Sequence, residues 1–586
     1  MRTPTPSLVD LLEESAARDP DALQYRYLHR GEVDENVETL TRAQLVARAR
    51  ALGARLADAT SPGDRVLLLY PPGLETFIAF FACLYADVIA VPMTPPDPQR
   101  LGQTLPRLLG IIAQSGATLA LSTPAVVDAA SALREVVPEL AALRFLADDG
   151  TTRDGRTVEA PRRRARRDPN SVAFLQYTSG SLGTPKGVMV TDAGLLANLE
   201  MIRVGLVMGP ATPGVFWLPH HHDMGFIGGG LEFVYCGAPC TMLSPVAFIQ
   251  RPGRWLRAIT RYGGVVAGGP CFAYEHCVRR VTDDELDGLD LGSWNVAFVG
   301  AEPVRAAVLD RFVRRFARCN FRREALYPCF GLAESTLFVS GKPMEPAPLA
   351  PREITVSAAA LEQNRIVYAE PGETLTRTLM SSGAPRLDAD VVIVDVVTRT
   401  RKAPGEVGEI WTRGPNLAAG YWNDSEKTRA AFGQRLGDTG DRGFFATGDL
   451  GFIDGGELFV TGRSKEVMIL GGRNHYPQDL EETIEASHPD LRHGGAAAFS
   501  YEHADEVLAV VAEVRAERIA REKSSPEPAG MRDILAAVRA ALLKHHTVVA
   551  KDVTLIAPQS LPKTTSGKKA RVEMRRKFLA GEVEGA

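Results

Sequence analysis

Short apolar runs separated by helical stretches recur through the first part of the chain, and they constrain the fold more than any other feature. Asp64–Tyr70 (DRVLLLY), Val88–Met93, Thr118–Leu121, Val172–Leu175, Gly264–Ala267, Val296–Val299 and Ala325–Tyr327 each have the length and character of a buried strand. Pro71, Pro72 and Gly73 break the first run, and Phe77–Ala86 then reads as a buried helix. Ser7 is placed to cap a helix reaching Ala17. Strands alternating with helices predict an α/β fold of layered, largely parallel sheets. At 586 residues the chain is too long for one core, so two or more domains are expected. Beyond Glu485, strand-like runs at Gly495–Phe499, Val507–Val514 and Val553–Ile556, with a helix over Ile534–Leu543, predict a small α+β domain. Residues 341–380 are rich in Pro and Glu and read as an inserted, partly irregular segment outside the core.

Several function classes are excluded by composition. A net charge of −4 gives no electrostatic case for a nucleic-acid partner. The longest apolar run covers about half a bilayer, so no transmembrane segment is expected. The N-terminal stretch lacks the apolar core of a signal peptide. Seven cysteines without a CxxC pair fit a reducing cytoplasm, not a disulfide framework or zinc site. The run RRRARR at 162–167 reads as a solvated linker.

The densest chemistry lies in QYTSGSLGTPKGVMV, from Gln176 to Val190. Thr178, Ser179, Gly180, Ser181, Gly183, Thr184 and Lys186 combine hydroxyl donors, glycines that let backbone N–H groups approach an anion, and one cation. That suits a polyphosphate loop. It is not a Walker A sequence, and it lacks GxSxG spacing. The loop is expected between an apolar strand and a helix starting near Thr191. WLPHHHDMGFIGGG (Trp217–Gly230) offers three histidines and Asp223, but adjacent histidines do not face one way, so a metal site is not expected. Its glycines suit close helix packing or the wall of an apolar tunnel. GAEPV (Gly300–Val304) and YPCFGLAES (Tyr327–Ser335) each follow a strand, where ligands collect in α/β sheets. A carboxylate beside a polyphosphate is repulsive without a divalent cation between them, which makes Glu302 or Glu334 a candidate Mg²⁺ ligand. FFATGDLG and GRSKEVMILGG follow, and the chain closes on LPKTTSGKKARVEMRRK.

Taken in order, YTSGSLGTPKGV, CFGLAE, TGDLG, GRSKEVMILGG and LPKTTSGK resemble the adenylate-forming superfamily of acyl-CoA synthetases, luciferases and nonribosomal adenylation domains, over nearly the whole chain. QYTSGS, LPHHHDMGFIGG, GAEPV and the PCFGLAES run look most like the fatty acyl-AMP ligases. The resemblance implies a large N-terminal domain over 1–465 and a small, mobile C-terminal domain over 466–586, with Lys465 and Glu466 at the hinge. It implies ATP and Mg²⁺ as cofactors and a medium- or long-chain fatty acid as substrate. The acyl-adenylate would pass to the phosphopantetheine of a separate carrier protein. The runner-up is a fatty acyl-CoA synthetase; a third possibility is a nucleotide-binding protein without catalysis. The 341–380 segment falls where fatty acyl-AMP ligases carry an insertion, expected to restrain the C-terminal domain.

Roles follow from the resemblance residue by residue. Thr178 to Lys186 would hold the β- and γ-phosphates. Gly300, Ala301, Glu302 and Pro303 would line the adenine side, with Phe330 and Gly331 against the base. Glu334 would hold magnesium, Asp449 the ribose hydroxyls with Arg463 assisting, and His222 would sit near the acyl carboxylate. Lys568 would bridge the carboxylate and the α-phosphate. Leu182 departs from the family, which usually has a hydroxyl there. Phe330 replaces a tyrosine, and Ala333 a threonine of many superfamily members. Arg571, Arg575, Arg576, Lys577 and Lys569 form a basic tail available either to solvent or to an acidic carrier.

Overall fold

The structure is a computed structural model that describes residues 7–97, 101–134, 137–148, 167–178, 185–344, 349–503, 506–524, 531–563 and 568–586. Ser7 caps the helix Leu8–Arg18 through a reciprocal capping box with Asp10. Among the described residues, one sheet has the spatial order Arg144–Ala147, Leu119–Ser122, Arg65–Leu69, Ile89–Met93, Val172–Thr178 and Lys186–Thr191. All neighbours run parallel except the last pair, an antiparallel hairpin. A larger sheet carries Val266–Gly269, Val296–Val299 and Leu326–Gly331 side by side and parallel, and extends through Leu23–Leu28 to Val37–Thr41 at its far edge. The helix Glu75–Ala86 is buried along nearly its whole length. It belongs to one apolar core with Val66 and Leu68 of the first sheet and Tyr25 and Met242 of the second. A helix apolar all round can only be an inner layer.

The parallel α/β expectation holds, with one correction at the phosphate loop. The predicted strand–loop–helix is a strand–loop–strand: Lys186–Thr191 pairs with Val172–Thr178 before the helix Asp192–Gly205 begins, capped by Thr191. Val188 and Val190 bury on one face, a two-residue alternation present in the sequence itself. The linker expectation for RRRARR also fails at its last member. Arg167 is largely buried and bonds Asp87 at 2.8 Å and Asp192 at 2.8 Å, tying two helices of the core; residues 162–166 lie outside those described.

A third sheet is built on Arg442–Asp454, flanked by Gly408–Arg413 and Glu457–Arg463. The inserted segment differs from its expectation. Glu353–Ser357 and Thr376–Met380 form a regular antiparallel pair. Ile354, Val356 and Leu361 share an apolar cluster with Phe452, Phe459 and Tyr476. The alternation in EITVS produces this half-buried strand, and Pro and Glu occupy its connections. The C-terminal unit has a three-stranded sheet, Leu491–Glu502, Glu506–Val514 and Ala550–Ile556. The helices Pro477–Ser487 and Arg532–His546 pack on it around a separate core.

Candidate active site

A cleft of about 2170 Å³ runs between the large sheet, the third sheet and the C-terminal unit. Ordinary small-molecule sites occupy ~300–1,000 Å³, so this one has room for two ligands joined end to end. Thr178 and Lys186, then Ala301, Glu302, Pro303, Phe330 and Gly331, and Asp449, Arg463 and Lys568 all line it. Ile202, Leu206, Met208, Phe216 and Phe338 give part of its lining an apolar character.

Each wall is a strand end held by local chemistry. After Val296–Val299 the chain bends at Gly300, where a Cβ would stand 2.8 Å from the Cys329 carbonyl oxygen, and Ala301 takes φ 67°. Glu302 then accepts a 3.1 Å bond from the Phe272 N–H, capping the helix Cys271–Arg280. At the end of Leu326–Gly331 a Cβ on Gly331 would meet the Leu337 carbonyl oxygen at 1.9 Å, so only glycine fits. The following turn presents Glu334, whose Oε1 accepts from the Tyr421 hydroxyl at 2.8 Å. Tyr421 also offers its ring face to the Lys186 ammonium at 5.1 Å. In the TGD turn, Thr447 Oγ1 donates to Ile410 O and accepts from the Asp449 N–H, while Gly448 takes φ 74°. Asp449 is thereby aimed into the cleft, where Arg463 Nε bonds its Oδ1 at 2.9 Å.

The electrostatics are those of a site prepared for an anionic ligand. Burial, then the Arg463 charge, pull the Lys568 ammonium below its ordinary pKa, and Asp223, Glu302 and Asp449 oppose the shift. Lys186 is lowered chiefly by burial, with Glu334 opposing and Lys465 and Lys427 adding to it. Burial raises Asp449 despite Arg463. For Asp223, burial acts upward, but the 2.6 Å contact to His222 Nδ1, the Met224 N–H and Lys568 outweigh it, leaving the carboxyl below its usual range. Like cations crowded in a half-buried cleft are relieved when phosphate enters.

The three histidines diverge as expected. His220 is buried, with Nδ1 3.1 Å from the Gly73 carbonyl and its ring on Phe77. His221 is pushed down to about 3 by burial, hence neutral. His222 faces the cleft. No cluster of three or more His, Cys, Asp or Glu able to hold a metal occurs among the described residues. The seven cysteines are free thiols. No helix of the described residues is long and apolar enough to cross a membrane.

A family model described as AMP-binding enzyme matches residues 12–422, and one described as Disco-interacting protein 2-like, AMP domain matches residues 465–585. The chain is 41% identical to the medium-chain-fatty-acid–[acyl-carrier-protein] ligase JamA of Moorena producens, over 99% of this chain and 96% of that protein. It is 35% identical to the crystal structure of the fatty acyl-adenylate ligase of Legionella pneumophila in complex with acyl adenylate and pyrophosphate, covering 98% and 96% of the two chains at a TM-score of 0.73. A structure from work on fatty acyl-adenylate ligases of E. coli and L. pneumophila is 31% identical, with 99% and 98% covered and a TM-score of 0.84.

The chain belongs to the fatty acyl-AMP ligases.

In this ligase the predicted residues Thr178, Lys186, His222, Ala301, Glu302, Pro303, Phe330, Gly331, Glu334, Asp449, Arg463, Lys465, Glu466 and Lys568 all line the one cleft. Gly300 makes the bend that leads into Ala301 and Glu302. Ser179, Gly180, Ser181, Gly183 and Thr184, with Leu182, lie outside the described residues. Three further residues of the cleft carry no role from the resemblance. Tyr421 orients Glu334 across 87 positions. Asp223 reads in the sequence only as a metal candidate. Gln176, a buried neighbour of the loop, donates to the His221 carbonyl at 2.9 Å. The basic tail is mostly spoken for internally. Lys569 bonds Glu481 and Glu485, Arg571 bonds Glu481 and Glu466, and Arg576 bonds Glu573 and Glu582. Three of the five basic side chains of the tail are thus paired with carboxylates, and Arg575 donates to the Ser500 carbonyl.

Proposed function

We propose that this ligase activates a medium- or long-chain fatty acid with ATP, releases pyrophosphate, and passes the acyl group to the phosphopantetheine thiol of a separate carrier protein in the cytoplasm. The observation that carries the reading is the placement of Lys568 among Asp223, Glu302, Asp449 and Arg463, in the one cleft that Lys186 and a set of apolar side chains also line. A carboxylate oxygen attacks the α-phosphorus, the bond to the bridging oxygen breaks, and pyrophosphate leaves with the electron pair. Two anions meet in this step, so preorganised cations are needed more than a base. In this reading Lys568 serves the α-phosphate, and Lys186 with Thr178 the departing pyrophosphate. Asp449 with Arg463 takes the ribose hydroxyls. Gly300–Pro303 and Phe330–Gly331 take the adenine side, and His222 the acyl carboxylate. In the second step the thiolate sulfur attacks the acyl carbonyl and AMP leaves.

Glu334 suits a Mg²⁺ ion. A single carboxylate at the phosphate end, with no cage of further protein ligands among the described residues, matches a cation held largely by phosphate oxygens and water. When bound, the ion would neutralise phosphate charge. The alkyl chain would lie against the apolar lining residues at roughly 0.8 kcal/mol per CH₂.

The insertion favours carrier transfer over coenzyme A. Arg377, on its second strand, bonds Asp479 at 3.1 Å and His546 at 3.0 Å in the C-terminal unit, and Asn474 donates to the Glu362 carbonyl at 3.0 Å. These bonds tie the insertion to the C-terminal unit and oppose its rotation away from the pose seen. The test supplies ATP, fatty acid and coenzyme A together. Acyl-adenylate should accumulate; rapid acyl-CoA formation would overturn the assignment in favour of an acyl-CoA synthetase.

A further inference from the structure

A row of charged side chains crosses from the N-terminal domain to the position beside Lys568. Arg311, on the helix Ala306–Phe316, donates to Glu275 Oε2 at 2.7 Å. Glu275, on Cys271–Arg280, meets His493 Nε2 at 3.2 Å through its other oxygen. The opposite nitrogen of His493, Nδ1, lies 2.8 Å from Glu485 Oε2. Glu485 Oε1 accepts from Lys569 Nζ at 2.8 Å, and Lys569 directly follows Lys568. Glu275 and Arg311 belong to the large domain, and His493, Glu485 and Lys569 to the C-terminal unit.

The row is built with care at every junction. His493 stands in a bulge of the strand Leu491–Glu502, where register slips between Leu491 and Ala496 and Gly494 takes φ 68°. A bulge re-aims a side chain out of the sheet's own alternation, here across the domain boundary. The Glu485 side chain is 3% exposed and is satisfied three times over, by His493, Lys569 and the Ala496 N–H. Its neighbour Glu481 holds the far side of Lys569 at 2.9 Å and pairs with Arg571, which reaches Glu466 at the hinge. Flanked by two carboxylates, the imidazole is raised to about 9 by its bonds to Glu275 and Glu485, and is doubly protonated at neutral pH. Both its nitrogens are then donors, as a bridge between two carboxylates requires.

We infer that Glu275 and His493 form an interdomain clamp that positions Lys568 for adenylation, acting through Glu485 and Lys569. The inference rests on the proposed role of Lys568. Neither clamp residue is assigned contact with the reacting atoms; both are positioning residues. Losing either leaves Glu485 and Lys569 paired within the C-terminal unit but frees that unit from the helix Cys271–Arg280. Lys568 then enters the cleft in only a fraction of molecules, and the rate of the chemical step falls by that fraction.

The test is a double-mutant cycle on the full-length enzyme, read by single-turnover formation of acyl-adenylate at saturating ATP and fatty acid. Glu275→Gln and His493→Gln should each slow this step about tenfold or more, the scale of one lost charge-assisted bond. ATP affinity should stay within about twofold. In a Lys568→Ala background the same substitutions should cost nothing further, because the lysine they position is gone. A full rate in both single variants would overturn the clamp. So would an equal loss with and without Lys568, which marks a general structural effect. Urea midpoints of both variants identify any global unfolding, and His493→Gln, on a partly exposed strand, provides a second route should Glu275→Gln fold poorly. A Lys568→Ala enzyme with an undiminished rate would overturn the underlying role of Lys568 and leave the clamp nothing to position.

Discussion

Lys568 is kept half-buried between cations and carboxylates, and that setting determines what its removal should do. A preorganised donor at a developing charge is worth on the order of 10²–10³ in rate. Lys568→Ala should therefore lose about that factor in pyrophosphate release, while ATP binding, which draws on Lys186 as well, falls far less. Near-normal acyl-adenylate formation would sink the role. Tyr421 allows a finer test. Its hydroxyl bonds Glu334 and its ring faces Lys186, so Tyr421→Phe deletes one interaction and keeps the other. A single bond to a charged group is worth roughly 1.5–3 kcal/mol. We expect the variant to need about tenfold or more extra Mg²⁺ for half-maximal rate; an unchanged titration would separate Glu334 from the metal. Glu334 was legible in the sequence because the CFGLAE pattern is dense. Tyr421 was not, because a lone tyrosine 87 residues away acquires meaning only from the atom it touches.

Among the elements, the glycine-rich helix Met224–Leu231 shows how packing fixes a choice of residue. A Cβ on Gly230 would stand 1.9 Å from the Phe77 ring, which is fully buried and stacked on Phe226. Tyr25 also donates to the Gly230 carbonyl at 3.0 Å. The ring has nowhere to move. Gly230→Ala should destabilise the large domain by about 1–3 kcal/mol, the usual range for overpacking, measured as a shift in the urea midpoint. A neutral result would mean that the helix can slide. Close packing of these glycines was legible in the motif, because four glycines in six positions leave a helix bare enough for rings and backbone to reach it. The hairpin strand Lys186–Thr191 was not predicted, although its alternation is visible. Its strand character depends on partners at both edges, Val172–Thr178 on one side and Tyr421 and Gly420 on the other.

The two domains meet through ionic contacts whose protonation makes the assembly depend on pH. His493 faces Glu275 and, behind it, Arg311 from the N-terminal domain, and Glu485, Lys569 and Glu481 from its own; Arg279 and Arg492 line the groove beside it. Its pKa is raised to about 9 in the folded state, against roughly 6.5 when free. Stabilisation from the protonated ring is fully present below about 6.5 and is lost as pH rises through about 9. Glu275 is held down to about 2, after burial, by His493 and Arg311, and so limits the contact only in strong acid. Cleavage by a protease around Lys465 and Glu466, the proposed hinge, should accelerate between about pH 8 and 10, and His493→Gln should abolish the step. A flat profile would show that His493 does not hold the domains. By itself the sequence determined the alternation of strands and helices, the order of the motifs and the chemistry each could perform, because those are encoded within a few residues. Only the tertiary structure decided which of those groups share a cleft, that most of the basic tail is consumed by internal pairs, and that Glu275 lies against His493. Such pairings depend on where distant segments bury their apolar faces, which no local pattern records.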